Sequence, residues 1–286
     1  MKKGAKEVFA SFLITLREGI EAALIVGIIL GYLKKVDAKS LEKPFYLGIG
    51  LGIVASIAVA ALFAVLAVEF EGKLEMVFEG TTMFVSMAIL TTMIIWMNEN
   101  SKAYSEGLKQ KVEQALTKTR TFGMASLAFM SIFREGVETV LFLGSTSFTT
   151  TGAQVILGGV IGLMVAFVLA IAIIKYSARL NMRTFFNVTG ILLIMFAAGL
   201  VSRGIFEFQE AGYVAPLVDH VWNSNWIVSD QGDLGKVLTA LFGYDGSPSL
   251  SEIAGYLLYW LAVAALIYRD MAAALFKRIA RAVYRV

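Results

Sequence analysis

Two short charged motifs interrupt apolar stretches of this chain: Arg17-Glu18-Gly19-Ile20-Glu21 and, 117 residues later, Arg134-Glu135-Gly136-Val137-Glu138. Each motif lies near the middle of a stretch long enough to cross a bilayer as a helix, which takes about 20 residues. A charged side chain at the bilayer centre costs at least ~2.5–3.5 kcal/mol on insertion scales. Six such residues therefore indicate a functional site. They also exclude a cleavable signal peptide for the first stretch, whose apolar region would not tolerate charge.

The composition supports a membrane protein. Of the 286 residues, 58% are hydrophobic and only 16% are charged, whereas a soluble domain has about 25% charged residues. The mean hydropathy is +0.73. The apolar runs predict an all-α integral membrane protein with seven transmembrane helices, at residues 8–33, 45–68, 77–97, 122–147, 153–174, 184–203 and 251–268.

The recurrence of the charged motif indicates an internal repeat. Further matches are Leu47-Gly48 and Gly52 with Leu157-Gly158 and Gly162, and, more weakly, Phe78 and Thr81 with Phe186 and Thr189. The chain then consists of two three-helix units and a C-terminal helix. Because three is odd, the second unit must cross the membrane in the opposite sense, which places a pseudo-two-fold axis in the membrane plane. Such inverted repeats predict that the two motifs face each other at mid-membrane.

Lysine and arginine predict the orientation. Seventeen of the 25 lie in loops or the tail on one side of the predicted spans, and six lie on the other. The positive-inside rule then gives an outside N-terminus and a cytoplasmic C-terminus. Residues 101–119 predict an amphipathic helix on the cytoplasmic surface, with a plain solvated linker as the alternative. Ser249 and Glu252 have the spacing of a capping box that begins the last span.

Each motif places its three charges on one helical face. If all six side chains are ionised, they sum to −2, which favours a bound cation. A purely structural alternative is two ion pairs at i,i+4 spacing, Arg17–Glu21 and Arg134–Glu138, which leaves Glu18 and Glu135 unpaired. Protons on these two glutamates are a further alternative, one that suits a proton-coupled carrier.

The residue types limit the ion and the function class. There is no Cys and only one His, His220, which excludes thiolate and multi-His metal sites. Carboxylates alone favour a hard ion, and Mg, Ca, Mn and iron all remain open. An enzyme is not expected, because a Ser/His or multi-His catalytic set needs histidines within the membrane. No phosphate-binding loop supports ATP-driven pumping by this chain.

The doubled motif resembles the high-affinity iron permease family, which includes a fungal ferric permease that works with a multicopper ferroxidase, and bacterial iron-uptake permeases. The resemblance covers nearly the whole chain. It includes Phe78-Glu79-Gly80 at the start of the third span, Trp96-Met97 at its end, and Gly243-Tyr244 through Pro248-Ser249-Leu250 before the last span. It implies that Glu18, Glu21, Glu135 and Glu138 are iron ligands, with Arg17 and Arg134 as their charge partners.

The function that the resemblance implies is movement of Fe3+ or Fe2+ across the plasma membrane into the cytoplasm. A carrier or channel for another hard divalent cation, such as Mn2+, is the alternative. The expected partners are iron ions, the lipid bilayer, a ferroxidase or periplasmic iron-delivery protein, and further copies of the chain in a homo-oligomer. Neither a tightly bound organic cofactor nor a nucleic acid is expected.

The expected organisation is a single transmembrane permease domain over residues 1–286. Its parts are repeat one at 8–97, a cytoplasmic linker at 98–121, repeat two at 122–206, an outer loop at 207–250, and the last helix at 251–268 with a basic tail.

An acidic outer vestibule is also predicted, where negative charge would raise the local concentration of cations. Its residues are Glu69, Glu71, Glu75, Glu79, Glu207 and Glu210. Glu79 is expected to be partly buried, because it lies within the third span. For the loop residues the alternative is an ordinary solvated surface.

Overall fold

The computed structural model describes residues 8–100, 103–118, 120–147, 152–176, 182–229 and 232–283, and these are mainly helical, with no strand and one long connection between residues 210 and 233. The helices are α1 (Val8–Lys35), α2 (Glu42–Glu69), α3 (Lys73–Asn100), α4 (Ala103–Lys118), α5 (Arg120–Ser147), α6 (Gly152–Tyr176), α7 (Met182–Glu210), α8 (Asp233–Phe242) and α9 (Leu250–Val283). Six of the basic residues counted for the orientation lie outside the described residues: Lys2, Lys3 and Lys6 on one side, and Lys102, Arg179 and Arg285 on the other.

All seven predicted spans coincide with helices, namely α1, α2, α3, α5, α6, α7 and α9. Within the described residues, five of them are long and apolar enough to cross a membrane: α2, α3, α6, α7 and α9. The other two, α1 and α5, contain the charged motifs, which lower their hydropathy. The chain is therefore an all-helical, multi-pass membrane protein.

The most extensive packing joins the two halves of the chain. Helix α1 packs along α6, α2 along α5, and α3 along α7. Small residues allow close approach of helices in a membrane, where van der Waals contact drives association. A Cβ atom at Gly48 would overlap the backbone carbonyl oxygen of Ala125, and one at Gly158 would overlap that of Val8. Glycine is therefore required where these backbones meet.

These close contacts occur in equivalent pairs. Three contacts of the α2–α5 interface have a counterpart in the α1–α6 interface. In α2–α5 the contacts are Gly48 with Ala125, Gly52 with Phe129, and Ser56 with Gly136. In α1–α6 the counterparts are, in the same order, Gly158 with Val8, Gly162 with Phe12, and Ala166 with Gly19. In every pair the α1 and α5 residues differ by 117 positions, and the α2 and α6 residues differ by 110. The α1–α6 interface therefore repeats the α2–α5 interface contact by contact.

A substitution within α2 tests this packing. Gly48→Ala places a methyl group against the Ala125 carbonyl oxygen and is expected to destabilise the protein by ~1–3 kcal/mol, which is typical of an overpacked contact. Gly50→Ala on the same helix is the matched control, because a Cβ there meets nothing within 4 Å. Thermal unfolding of both variants in detergent measures the difference. Equal stability of the two variants would contradict the close α2–α5 contact.

The predicted amphipathic helix is confirmed as α4, but its apolar face packs on protein. Leu108 and Val112 are buried in a cluster that includes Ile25 and Ile29 of α1 and Met124 of α5. The hydroxyl of Tyr32 donates a 2.7 Å hydrogen bond to Glu113 at the edge of this contact. The helix therefore bridges the two motif-bearing helices at one end of the bundle.

The predicted capping box is confirmed at the start of α9. Backbone N–H of Ser249 donates to Oε1 of Glu252 over 3.2 Å, and backbone N–H of Glu252 donates to Oγ of Ser249 over 3.3 Å. The preceding loop holds a further helix that was not predicted, α8, which ends at Phe242 and is followed by Gly243 with a left-handed φ of 64°. Gly243 packs directly on Gly199 of α7, so this part of the loop is fixed to the bundle.

Candidate ion-binding site

Three motif carboxyl groups converge between α1 and α5. One oxygen each of Glu18, Glu21 and Glu135 lies within 4.8 Å of the others. All three side chains are buried, with 2%, 6% and 4% of their residue surfaces exposed. The two motif helices pack against each other. The helical face predicted for the first motif is buried as a whole, whereas in the second motif Glu135 and Glu138 are buried and Arg134 is exposed. The cluster has the size and the oxygen ligands of a site for a hard cation.

Arg17 closes one side of the cluster. Its Nη1 donates a 2.7 Å hydrogen bond to Oε1 of Glu18, and its Nη2 lies 2.8 Å from Oε1 of Glu21. Only 1% of the residue is exposed, so the guanidinium is as buried as the carboxylates it faces. One cation thus contacts two of the three converging carboxyl groups and offsets a single negative charge.

The second arginine is placed differently. Nε of Arg134 donates a 2.7 Å hydrogen bond to Oε1 of Glu138, and 55% of the Arg134 side chain is exposed. Glu138 is buried beside the cluster and close enough to repel charge on Glu18 and Glu21, but it does not belong to the group of three. The two motifs therefore share a sequence but differ in geometry.

The purely structural alternative, with two i,i+4 ion pairs and with Glu18 and Glu135 unpaired, is wrong at Glu18. Both i,i+4 pairs are present, at 2.8 Å for Arg17–Glu21 and 2.7 Å for Arg134–Glu138. Glu18 is not unpaired, because it takes the second terminal nitrogen of Arg17. The long arginine side chain reaches its neighbour in sequence as well as the residue one turn on, a choice that helical angles alone do not fix.

Several carboxylate oxygens in and beside the cluster could still accept a hydrogen bond or bind a cation. In the described part of the chain, Oε2 of Glu18, Glu135 and Glu138 are each buried and receive no hydrogen bond. The carboxyl groups of Glu18 and Glu135 also lie within hydrogen-bonding reach of each other. Two carboxylates in contact repel unless a proton or a cation lies between them. The site can therefore take up one or the other.

The residues predicted for the vestibule fall into two groups. Glu75 and Glu79 on α3 face Glu207 near the end of α7, with Arg203 close by. Glu210, exposed at the end of α7, also acts on Glu207 and belongs to this first group, whereas Glu69 and Glu71 are exposed at the α2–α3 turn. Glu79 is partly buried, as predicted. His220 is exposed and bonds to the Ser247 carbonyl oxygen over 3.1 Å.

Two residues near the site escape sequence analysis. Met93 and Met97, one helical turn apart on α3, accept hydrogen bonds from the Arg17 guanidinium. Methionine in a span is usually a packing residue, and no local pattern connects α3 to a charge 76 positions earlier in the chain. The only signals available in the sequence are their shared helical face and the place of Met97 in the Trp96-Met97 pair, which contributes to the family resemblance.

Comparison with known proteins agrees with this architecture. The model of the iron permease FTR1 family matches residues 8–280. A ferrous iron permease EfeU of Yersinia pestis is 33% identical over 254 residues, which cover 88% of this chain and 90% of the relative. The protein of the same name in Escherichia coli O6:K15:H31 is 32% identical over 254 residues, covering 88% and 92%. No solved structure matches.

The apolar helical bundle and this match together define a transmembrane transport protein for iron. The chain belongs to the iron permease FTR1 family, which confirms the resemblance carried by the doubled motif. Membership of a permease family indicates a transporter, in line with the expectation that the chain is not an enzyme. The expected ferroxidase or iron-delivery partner and the homo-oligomer stay predictions.

Proposed function

We propose that this protein moves ferrous iron across the plasma membrane into the cytoplasm through a mid-membrane site formed by Glu18, Glu21, Glu135 and Glu138. The observation that carries the proposal is the convergence of three buried carboxyl groups from two helices within 4.8 Å. Oxygen atoms that receive no hydrogen bond support it, because burying a carboxylate without a partner is costly. Iron at this site is the cargo.

The ion is assigned from chemistry and from the relatives. Carboxylates select hard or borderline cations and do not separate iron from manganese or magnesium. The similar proteins of Yersinia pestis and Escherichia coli are named ferrous iron permeases. Fe2+ is therefore the cargo proposed here, with Mn2+ transport as the alternative that the test must exclude.

Uptake into proteoliposomes tests the function. The purified protein should accumulate Fe2+ kept reduced with ascorbate, and excess Mn2+ or Mg2+ should compete weakly. Uptake of Fe3+ presented as citrate should be slower than uptake of Fe2+. Uptake of Mn2+ at the same rate and affinity as Fe2+ would show a general carrier of divalent cations and contradict the assignment of iron. Faster uptake of Fe3+ than of Fe2+ would contradict the assignment of the ferrous ion.

The proposed topology has seven spans, with an outside N-terminus and a cytoplasmic C-terminus. The matched contacts of the α1–α6 and α2–α5 interfaces support two inverted repeats, because a two-fold rotation that exchanges α1 with α5 also exchanges α6 with α2. The division into repeat one at 8–97, linker at 98–121, repeat two at 122–206, outer loop and last helix belongs to this proposal.

The absence of Cys makes the topology easy to test. Single-cysteine variants Glu71→Cys, in the α2–α3 turn, and Lys109→Cys, on the exposed side of α4, should differ in reactivity with a membrane-impermeant maleimide on intact cells. Glu71→Cys should be labelled from outside, and Lys109→Cys only after lysis. The reverse pattern would invert the protein in the membrane.

The acidic vestibule is proposed as the outer mouth of the path, where charge concentrates cations. Glu79→Ala is expected to lower iron uptake several-fold at low iron concentration and little at saturation, because the variant loses local concentration but keeps the central site. Initial uptake rates across an iron titration measure this difference. Glu106→Ala, an exposed position on α4, is the control. A loss of the same size at every iron concentration would place Glu79 in the central site.

A further inference from the structure

The guanidinium of Arg17 lies between two carboxylates of its own helix and two thioethers of α3. Nη1 donates to Oε1 of Glu18 over 2.7 Å and to Sδ of Met93 over 3.0 Å. Nη2 lies 2.8 Å from Glu21 and donates to Sδ of Met97 over 3.4 Å. Each terminal nitrogen therefore has one charged oxygen and one neutral sulfur as its partners.

The second half of the chain shows no equivalent sulfur pair. When Phe78 and Thr81 of α3 are aligned with Phe186 and Thr189 of α7, Met93 and Met97 correspond to Val201 and Ile205. Neither aliphatic side chain can accept a hydrogen bond. Helix α3 therefore places two sulfur acceptors beside the buried Arg17, and the aligned positions of α7 carry none.

A bound iron ion would change what Arg17 can contact. The ion and the guanidinium would compete for the same oxygens of Glu18 and Glu21, and a buried guanidinium cannot regain water once it loses them. It needs acceptors that stay with it and do not bind a hard cation strongly. Thioether sulfur meets both conditions, since it is a weak, uncharged acceptor and a soft ligand.

We propose that Met93 and Met97 form a neutral cradle that keeps Arg17 hydrogen-bonded when the transported ion takes the oxygens of Glu18 and Glu21. The two methionines are positioning residues, which act on the ion through Arg17 and do not themselves bind it. This inference rests on the proposed iron site. In the empty site Arg17 is the counter-ion of Glu18 and Glu21. In the loaded site the ion takes these carboxylate oxygens, and Arg17 keeps its hydrogen bonds to the two methionines.

The double variant Met93→Leu/Met97→Leu tests the cradle, because leucine keeps the volume and removes the acceptor. In proteoliposomes its apparent KM for Fe2+ should rise about tenfold, the effect of two lost weak hydrogen bonds in the loaded state, with a smaller change in maximal rate. Met93→Gln/Met97→Gln, which restores an acceptor at each position, should recover most of the affinity.

Met83→Leu is the matched control, since Met83 is fully buried on the same helix and is not among the partners of Arg17. Wild-type uptake in the same vesicles tests the iron site itself, so its absence would overturn the proposed function. With wild-type uptake present, an unchanged KM in the double leucine variant would overturn the cradle. So would an equal KM rise in Met83→Leu, or failure of the glutamine variant to recover. Met97→Leu alone, in the less buried position, should show part of the KM rise if the double variant does not fold.

Discussion

Glu135→Gln is expected to reduce iron uptake about 100-fold or more while the protein stays folded. Mutation of a residue that only hydrogen-bonds to a metal ligand typically lowers metal affinity or activity by ~10–100-fold. Loss of a charged ligand itself should lower iron uptake at least as much. Glu135 is buried, and its Oε2 receives no hydrogen bond in the described part of the chain. Glutamine keeps the shape and removes the charge. Iron uptake in proteoliposomes measures the loss, and monodispersity in detergent reports folding.

Glu18→Gln should lose transport to a similar extent, and should also weaken the hold on Arg17, because Glu18 accepts its 2.7 Å hydrogen bond. Glu252→Gln is a sharp control for both variants. Glu252 is an equally buried carboxylate with its partners in the capping box at Ser249, where glutamine serves as well. It should transport normally. Normal uptake by Glu135→Gln and Glu18→Gln would refute the ion-binding role of both residues and leave a structural one.

Arg17→Gln should destabilise the protein far more than Arg134→Gln. Removing one partner of a buried ion pair typically costs 3–5 kcal/mol, because the other charge stays buried and uncompensated. Arg17 faces two buried carboxylates and is itself 1% exposed, whereas the Arg134 side chain is 55% exposed. For Arg134→Gln we expect roughly half that loss or less. Thermal unfolding in detergent and the yield of monodisperse protein measure both effects.

A compensating variant gives this comparison its control. Glu21→Gln added to Arg17→Gln removes the charge that Arg17 leaves behind, so the double variant should recover part of the lost stability. Glu21→Gln added to Arg134→Gln should give a smaller recovery, since the 2.7 Å ion pair of Arg134 is with Glu138, although its charge also acts on Glu21. Equal stability of the two single arginine variants would mean that burial does not distinguish the two halves.

Much of the fold could be predicted from the sequence because lipid constrains helices strongly. Seven apolar runs became seven helices, and the boundary errors lie at the helix ends, where polar residues extend α3 to Asn100 and α7 to Glu210. The pairing of α1 with α6 could not be read directly, although the glycines that permit it were visible. Helix α8 was missed although Leu234, Val237, Leu238 and Leu241 recur at helical spacing, because its ten residues are too few to cross a membrane.

The candidate site could be predicted in part. The doubled motif identified the residues, and the odd number of helices in a repeat indicated that the two motifs should meet. What the pattern could not give was the difference between the halves: Arg17 is enclosed and Arg134 is exposed, although their motifs differ only by Ile20 and Val137. Arg17 contacts Met93 and Met97 of α3, which are distant in sequence, so local sequence could not predict these contacts.

The packing of α1 on α6 has a consequence for the order in which this protein is assembled. Ribosomes complete α1 at Lys35, yet α5 begins at Arg120 and α6 at Gly152. At about 5–20 residues per second, roughly 6–23 s pass before synthesis reaches the start of α6, the helix that covers α1. During that interval the bilayer holds a helix with two central carboxylates, and Arg17 is the one cation in the same part of that helix. The ion pairs within α1 therefore form before the site does, and the cluster closes only after α5 has been inserted.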